Sequence, residues 1–365
     1  MTRTIARILT LLAAIAFVLA GPVPWANASG GDDDDRDNSG GNLYTLTNSA
    51  AGNAVIVFAR SASGALTMRG TYATGGLGGA LGSQGAVVTS QVGKWLYAVN
   101  AGSSDLSVFR VDDDALVLTD RRASGGTQPI SVTTSHDLVY VVNSSTSNIA
   151  GFTASHGKVT PIDGSSRSLI GTGPAEIAFS PSGRVLVVTD KATNTLETFI
   201  IGERGAAGAA RSFASAGATP FGFDFGRKDQ LFVSEAALSS ASSYRVETDG
   251  SLATVSAAVP TTQAAACWLV VTKNDKWAYT ANAGSDSISR FAIDRAGRIT
   301  LVQAQAAHSA GAHTTDMALS GNSRFLYALD GGAHMISAFR IDQDGTLMRL
   351  PGVPVPAGAS GLAAR

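Results

Sequence analysis

Trp95-Leu96-Tyr97-Ala98-Val99-Asn100 is the stretch that decides the fold, because the chain repeats it. An apolar run with β-branched and aromatic residues ends in a polar residue, and an aromatic follows at a fixed offset. The other runs are Leu43-Tyr44-Thr45-Leu46, Leu138-Val139-Tyr140-Val141-Val142, Val185-Leu186-Val187-Val188, Leu231-Phe232-Val233, Trp277-Ala278-Tyr279 and Phe325-Leu326-Tyr327-Ala328-Leu329. The seven ends are Asn48, Asn100, Asn143, Asp190, Glu235, Asn282 and Asp330, at steps of 52, 43, 47, 45, 47 and 48 residues. Phe109, Phe152, Phe199, Tyr244, Phe291 and Phe339 stand nine residues past the last six ends, and Phe58 stands ten past the first. Short strands at this period predict an all-β, seven-bladed β-propeller with one four-stranded blade per repeat.

The third repeat shows the expected plan. Pro129 to Ser135 reads as an inner strand, Leu138 to Val142 as the second, Asn148 to Ala154 as the third and Val159-Thr160-Pro161 as a short outer strand. Turn residues such as Ser135-His136-Asp137 and His156-Gly157 separate them. The recurring Phe or Tyr is expected to pack between blades, since aromatic rings bury large areas. The first repeat begins directly at its second strand. Ala357 to Ala364 has the small apolar content of the other inner strands, so the C-terminal strand is expected to join the first blade and close the ring. Closure removes exposed sheet edges.

Outside the repeats, Arg3 and Arg7 precede an apolar run from Ile8 to Ala20, and Ala26-Asn27-Ala28 supplies small residues for signal peptidase. Residues 1–28 therefore read as a signal peptide. Residues 29–41, with Asp32 to Asp35, read as an acidic Gly/Ser-rich linker with nothing to bury. Residues 42–365 are left for the propeller. A secreted or periplasmic, monomeric protein is expected, with no membrane association after cleavage. Lys plus Arg number 27 against 28 Asp plus Glu. With no basic stripe, nucleic acid is not an expected partner. Cys267 is the single cysteine, so no intrachain disulfide is possible, and its apolar neighbours predict a buried, inert thiol.

The repeats resemble the lactonase-like seven-bladed propellers. That group includes the propeller-type 6-phosphogluconolactonases, the carboxymuconate lactonising enzyme and the surface proteins with Tyr-Val-Thr-Asn repeats. The motifs that carry the resemblance are Trp95 to Asn100, Val139-Tyr140-Val141-Val142-Asn143 and Trp277-Ala278-Tyr279-Thr280-Ala281-Asn282, supported by Ser180-Pro181-Ser182-Gly183-Arg184 and Phe339 to Gly345. The resemblance implies His and Arg at the starts of inner strands and a Glu just after a strand end. Here the inner-strand positions hold Gly85, Ile130, Ala175, Phe221, Cys267 and Thr315. The residues after the strand ends are Ala101, Ser144, Lys191, Ala236, Ala283 and Gly331.

Without that constellation, the leading expectation is a scaffold that binds a small molecule or protein at the funnel face. No turnover of 6-phosphogluconolactone or muconolactone-type substrates is expected on this reading. The alternative is a lactone-processing enzyme of 6-phosphogluconolactonase or carboxymuconate cyclase type with an altered site. Rim positions predicted to meet a ligand are Gln128, Glu176, Asp190, Glu235, Gln263, His313, Asp316 and Asp330, with Gln84 and Trp268 nearby. His313 with Asp316 is the reserve catalytic pair, since a neutral imidazole can serve as base. No cofactor and no metal site are expected. The other histidines, His136, His156, His308 and His334, have no metal-ligand spacing.

Overall fold

The computed structural model describes residues 40–365, which form seven antiparallel sheets in a ring and contain no helix. The predicted signal peptide, and the linker up to residue 39, lie outside the described residues. The first strand of the fold starts at Gly41, one residue inside the predicted linker. Among the described residues no helix is long and apolar enough to cross a membrane.

Blade 1 consists of Ser360–Ala364, Gly41–Leu46, Ala54–Arg60 and Leu66–Ala73, from inside outward. The C-terminal strand thus supplies its inner strand, with Leu43 opposite Ala364 and Thr45 opposite Leu362. Thr45 Oγ1 reinforces the closure by donating to Gly361 O at 2.7 Å. The inner strand is shorter than predicted, because Gly358 adopts φ +83° and residues 357–359 turn. Blades 2 to 7 follow in chain order, with inner strands Val87–Thr89, Pro129–Ser135, Pro174–Phe179, Pro220–Phe225, Ala266–Val271 and Thr314–Leu319. Blade 3 carries an extra two-residue strand, Arg167–Ser168, on its third strand.

The apolar runs become the second strands, and both their faces are buried: Leu138–Asn143 is enclosed from its second residue on. The recurring aromatics fill the spaces between sheets. Phe109 and Phe152 join a cluster spanning blades 1 to 3, and Phe291 packs with Phe232 and Leu269 of blades 5 and 6.

Around the axis, neighbouring inner strands are joined by a repeated device. A side chain on one inner strand accepts an N–H from the next blade, 46 or 47 residues on. Ser131 Oγ takes Ile177 N at 3.2 Å, Thr133 Oγ1 takes Phe179 N at 3.1 Å, and Glu176 Oε2 takes Phe223 N at 2.7 Å. Asp224 Oδ2 takes Val271 N at 2.8 Å, and Asp316 Oδ2 takes Leu362 N at 2.8 Å. These inner strands face no sheet partner across the axis, so the side chains satisfy donors that would otherwise be orphaned.

Gln84 occupies the axis itself. From the segment leading into blade 2, its Nε2 donates to Phe223 O at 3.1 Å and Leu269 O at 2.9 Å. Its Oε1 accepts Leu269 N at 3.2 Å. A Cβ at residue 222 would come within 2.3 Å of that oxygen, which explains a glycine there.

Candidate functional site

One face of the ring is built where inner strands begin and second strands end. Pro129 faces Asn143, Pro174 faces Asp190, Pro220 faces Glu235, Ala266 faces Asn282 and Thr314 faces Asp330. The residue before each of these five inner strands is left-handed: Gln128 (φ 59°), Gly173 (70°), Thr219 (62°), Ala265 (58°) and His313 (45°). That conformation turns its carbonyl onto the N–H just past the strand end, as in Lys191 N to Gly173 O at 2.9 Å and Gly331 N to His313 O at 3.2 Å. Side chains there meet a backbone cost that only local hydrogen bonds offset.

The register then shifts at the second inner-strand residue, so Ile130, Ala175, Phe221, Cys267 and Thr315 are skipped in the ladder. None of these is a base or a cation. The cation comes from the loop. Lys191, directly after the Asp190 strand end, holds Nζ 4.6 Å from the centre of the Phe221 ring, a cation–π contact. Burial lowers its pKa, which the nearby Cys267 only partly opposes. Phe221 meets Trp268 edge-on at 5.3 Å. Trp268 is buried, and its Nε1 has no hydrogen-bond partner among the described residues. Burial pushes the Cys267 thiol up to about 11, so it remains protonated at neutral pH.

The predicted rim residues separate into three groups. Gln128, Gln263 and His313 do lie at the surface. Gln128 links two loops, giving Nε2 to Ala80 O at 3.1 Å and taking Ser145 Oγ at 2.6 Å. Gln263 Oε1 accepts Ser287 Oγ and Gln305 Nε2, each at 3.1 Å. The His313 side chain is 71% exposed. Its Nδ1 lies 2.7 Å from Ala283 O. A carbonyl only accepts, so Nδ1 carries the proton and Nε2 keeps a free lone pair.

Glu176 and Asp316 form the second group, below the surface and committed to the backbone. Asp316 Oδ1 takes Met317 N at 2.8 Å in addition to its bond from Leu362. Desolvation pushes both carboxyls well above the usual range, opposed by their backbone donors, and for Glu176 reinforced by Asp224 and Asp316. The reserve pair is not brought together, because Asp316 points into the ring. The carboxylate beside His313 is Asp286, which takes His313 N at 2.9 Å and Gly311 N at 2.7 Å and lies 3.7 Å from the imidazole.

Asp190, Glu235 and Asp330 form the third group, and for them the ligand-rim expectation is corrected. Their side chains turn into the blade, where they are 0 to 2% exposed. Glu235 accepts from Ser215 Oγ at 2.9 Å, and Asp330 from Thr314 Oγ1 at 2.8 Å and Ser337 Oγ at 2.5 Å. Asp190 instead faces Glu197. Among the described residues the Asp190 carboxyl has no partner other than that of Glu197, whose Oε1 also accepts the N–H of Gly171. Burial first and the Glu197 charge second push Asp190 up to about 8, the behaviour of two carboxyls sharing a proton.

Sequence reasoning missed Glu197 and Asp286. A signal for Glu197 exists: seven residues past the strand ends, blades 2, 5, 6 and 7 have Ser107, Ser242, Ser289 and Ser337, while blade 4 has Glu. Asp286 has a signal as well: four residues past the strand ends blades 2, 4 and 5 have Ser104, Asn194 and Ser239, which accept the N–H of Gln128, Thr219 and Ala265 as Asp286 accepts that of His313. Among the described residues, no three His, Cys, Asp or Glu side chains group as metal ligands.

A sequence profile described as "Lactonase, 7-bladed beta-propeller" matches residues 40–168 and 250–360. No curated protein matches the chain. Among solved structures, a protein from Bacteroides fragilis provisionally named a 6-phosphogluconolactonase superposes with a TM-score of 0.73 at 19% identity, covering 88% of this chain and 97% of that one. A protein from Lactobacillus plantarum gives 0.75 at 17%, covering 88% and 98%. A periplasmic gluconolactonase from Pseudomonas aeruginosa gives 0.70 at 16%, covering 89% and 98%. At such identities these likenesses establish the shared fold.

Proposed function

Starting from the fact that the chain belongs to the lactonase family of seven-bladed β-propellers, we propose that it is an exported lactone-processing enzyme whose substrate sits on the His313 and Lys191 face. The comparisons support this reading better than the binding scaffold expected from the sequence, and the periplasmic gluconolactonase neighbour supports the location. The observation that carries it is Lys191: a partly desolvated ammonium, held over Phe221, at the position after a strand end where the family places a functional residue.

The chemistry follows from charge. Water attacks the lactone carbonyl carbon while a base takes its proton. Negative charge gathers on the carbonyl oxygen, then the ring C–O bond breaks and the ring oxygen is protonated. Lys191 supplies positive charge where water is partly excluded, and such charge stabilises an oxyanion more than it would in bulk solvent. His313 supplies the base through Nε2 and returns the proton to the leaving oxygen.

Glucono-δ-lactone and a muconolactone, followed by pH-stat titration with purified mature protein, test the proposal. Turnover of at least one above buffer is expected, with His313→Gln lowering kcat by roughly 10²-fold, the worth of a positioned base. Lys191→Met is expected to lower kcat by a comparable factor. No turnover of either lactone would return the protein to the binding-scaffold reading. Turnover indifferent to both substitutions would remove these residues from the site.

A further inference from the structure

The face opposite the His313 rim holds a cavity of about 300 Å³ between blades 2 and 3. Its origin lies in one turn. The Tyr in the middle of each second strand usually reaches the turn between the third and outer strands of the next blade. Tyr140 OH donates to Gly205 O at 2.7 Å, Tyr279 OH to Gly345 O at 2.7 Å, and Tyr327 OH to Gly64 O at 3.0 Å. Those turns are long; the five residues 342–346 link the strands of blade 7. Blade 3 joins its strands through His156-Gly157 alone. The short turn leaves space uncovered, and Gly157 O is already taken by Thr119 Oγ1 at 2.7 Å. Tyr97, the equivalent Tyr of blade 2, therefore keeps a hydroxyl with no hydrogen-bond partner among the described residues, at the cavity wall. Blade 1 meets the short turn of blade 2 differently: Asn42 Nδ2 fills the gap by donating to Asp113 O at 2.7 Å. Trp95 occupies the position corresponding to Asn42, half-buried, with its indole lining the cavity.

We infer that this cavity binds a neutral sugar, the Trp95 indole taking an apolar C–H face and Tyr97, Gln91, His136 and Asp137 taking hydroxyl groups. An aromatic surface combined with a few convergent donors and acceptors is the make-up of a small-ligand site, and the volume lies at the lower end of the usual range of roughly 300–1,000 Å³. Asp137 in the wall disfavours an anion. Burial pushes Tyr97 up to about 12, so its hydroxyl stays neutral and both donates and accepts. Ala154 lines the cavity with only a methyl group.

Isothermal titration of the purified mature protein with D-glucose, D-galactose and N-acetylglucosamine tests the inference. Saturable one-to-one binding of at least one sugar is expected, with a Kd in the millimolar range. Tyr97→Phe keeps the ring and removes only the hydroxyl, and weakens binding about fivefold, the net worth of one hydrogen bond. Ala154→Phe fills the cavity and abolishes binding. Lys191→Met, on the other face, leaves it unchanged, which separates this site from the lactone site. Absence of binding by all three sugars overturns the inference. So does full-strength binding in both Tyr97→Phe and a folded Ala154→Phe protein.

Discussion

Replacing Asp190 by Asn and Glu197 by Ser together would give blade 4 the pair found in blades 2 and 6. There Asn100 Nδ2 meets Ser107 Oγ at 2.8 Å, and Asn282 Nδ2 meets Ser289 Oγ at 2.9 Å. In the native protein, the carboxyl of Asp190 is raised from 3.8 to about 8. Between those values the folded chain holds a proton that the unfolded chain has released. Its stabilising contribution is complete below about pH 4 and is lost as pH rises through about 8. At about 1.4 kcal/mol per unit, the ceiling is about 6 kcal/mol, and relaxation around the pair brings the expected loss to about 3 kcal/mol. At about 2 °C per kcal/mol for a chain of this size, Tm falls by roughly 6 °C on that account between pH 5 and pH 9. Glu176, Asp224, Asp316 and Asp330 are also raised and add slopes of the same sign. The informative quantity is therefore the difference in slope between native and double-variant proteins, measured by circular dichroism melts across that range. The variant also loses the Glu197 acceptor for Gly171 N, which lowers its Tm, and the raised carboxyl of Glu197, whose removal flattens the slope in the same direction. Identical slopes in the two proteins would refute the shared-proton assignment.

Deleting residues 357–365 removes the inner strand of blade 1 and leaves backbone groups from Leu43 to Leu46 unpaired, at about 1–3 kcal/mol each. Loss of a cooperative melting transition is expected, and a native-like transition would contradict closure by this strand. Gln84→Ala removes three hydrogen bonds to blades 5 and 6 and should lower stability in urea titrations by about 2–4 kcal/mol. N-terminal sequencing of the exported protein should begin at Ser29, and retention of residues 1–20 would contradict the signal-peptide reading.

The blade plan was legible because it is local. Strands such as Trp95 to Asn100 alternate with turn residues at a regular period, and the period alone sets the number of blades. Even the missing inner strand of blade 1 could be found by counting. The site was much less legible, since it depends on which way a side chain turns. Asp190, Glu235 and Asp330 stand at the expected level of the fold, yet their carboxyls turn toward third-strand partners seven residues on, or toward a preceding loop. Glu176 and Asp316 were expected at the rim and are held below it by the N–H groups of Phe223 and Leu362. Those bonds depend on ring geometry between residues 46 or 47 positions apart. Lys191 stands in the sequence only as one of six residues that follow strand ends. Its placement depends on Phe221, which no sequence spacing ties to it.

The position of Gln84 has a kinetic consequence. Its amide lies across the axis, bonded to blades 5 and 6, so a solute that descends from the His313 face meets a wall instead of a passage. Arrival and departure share one doorway. On the lactone reading proposed above, an opened, acyclic acid would have to back out past Lys191 before the next lactone settled, and the ammonium proposed to stabilise the reaction's negative charge would also slow the escape of the anion it produces.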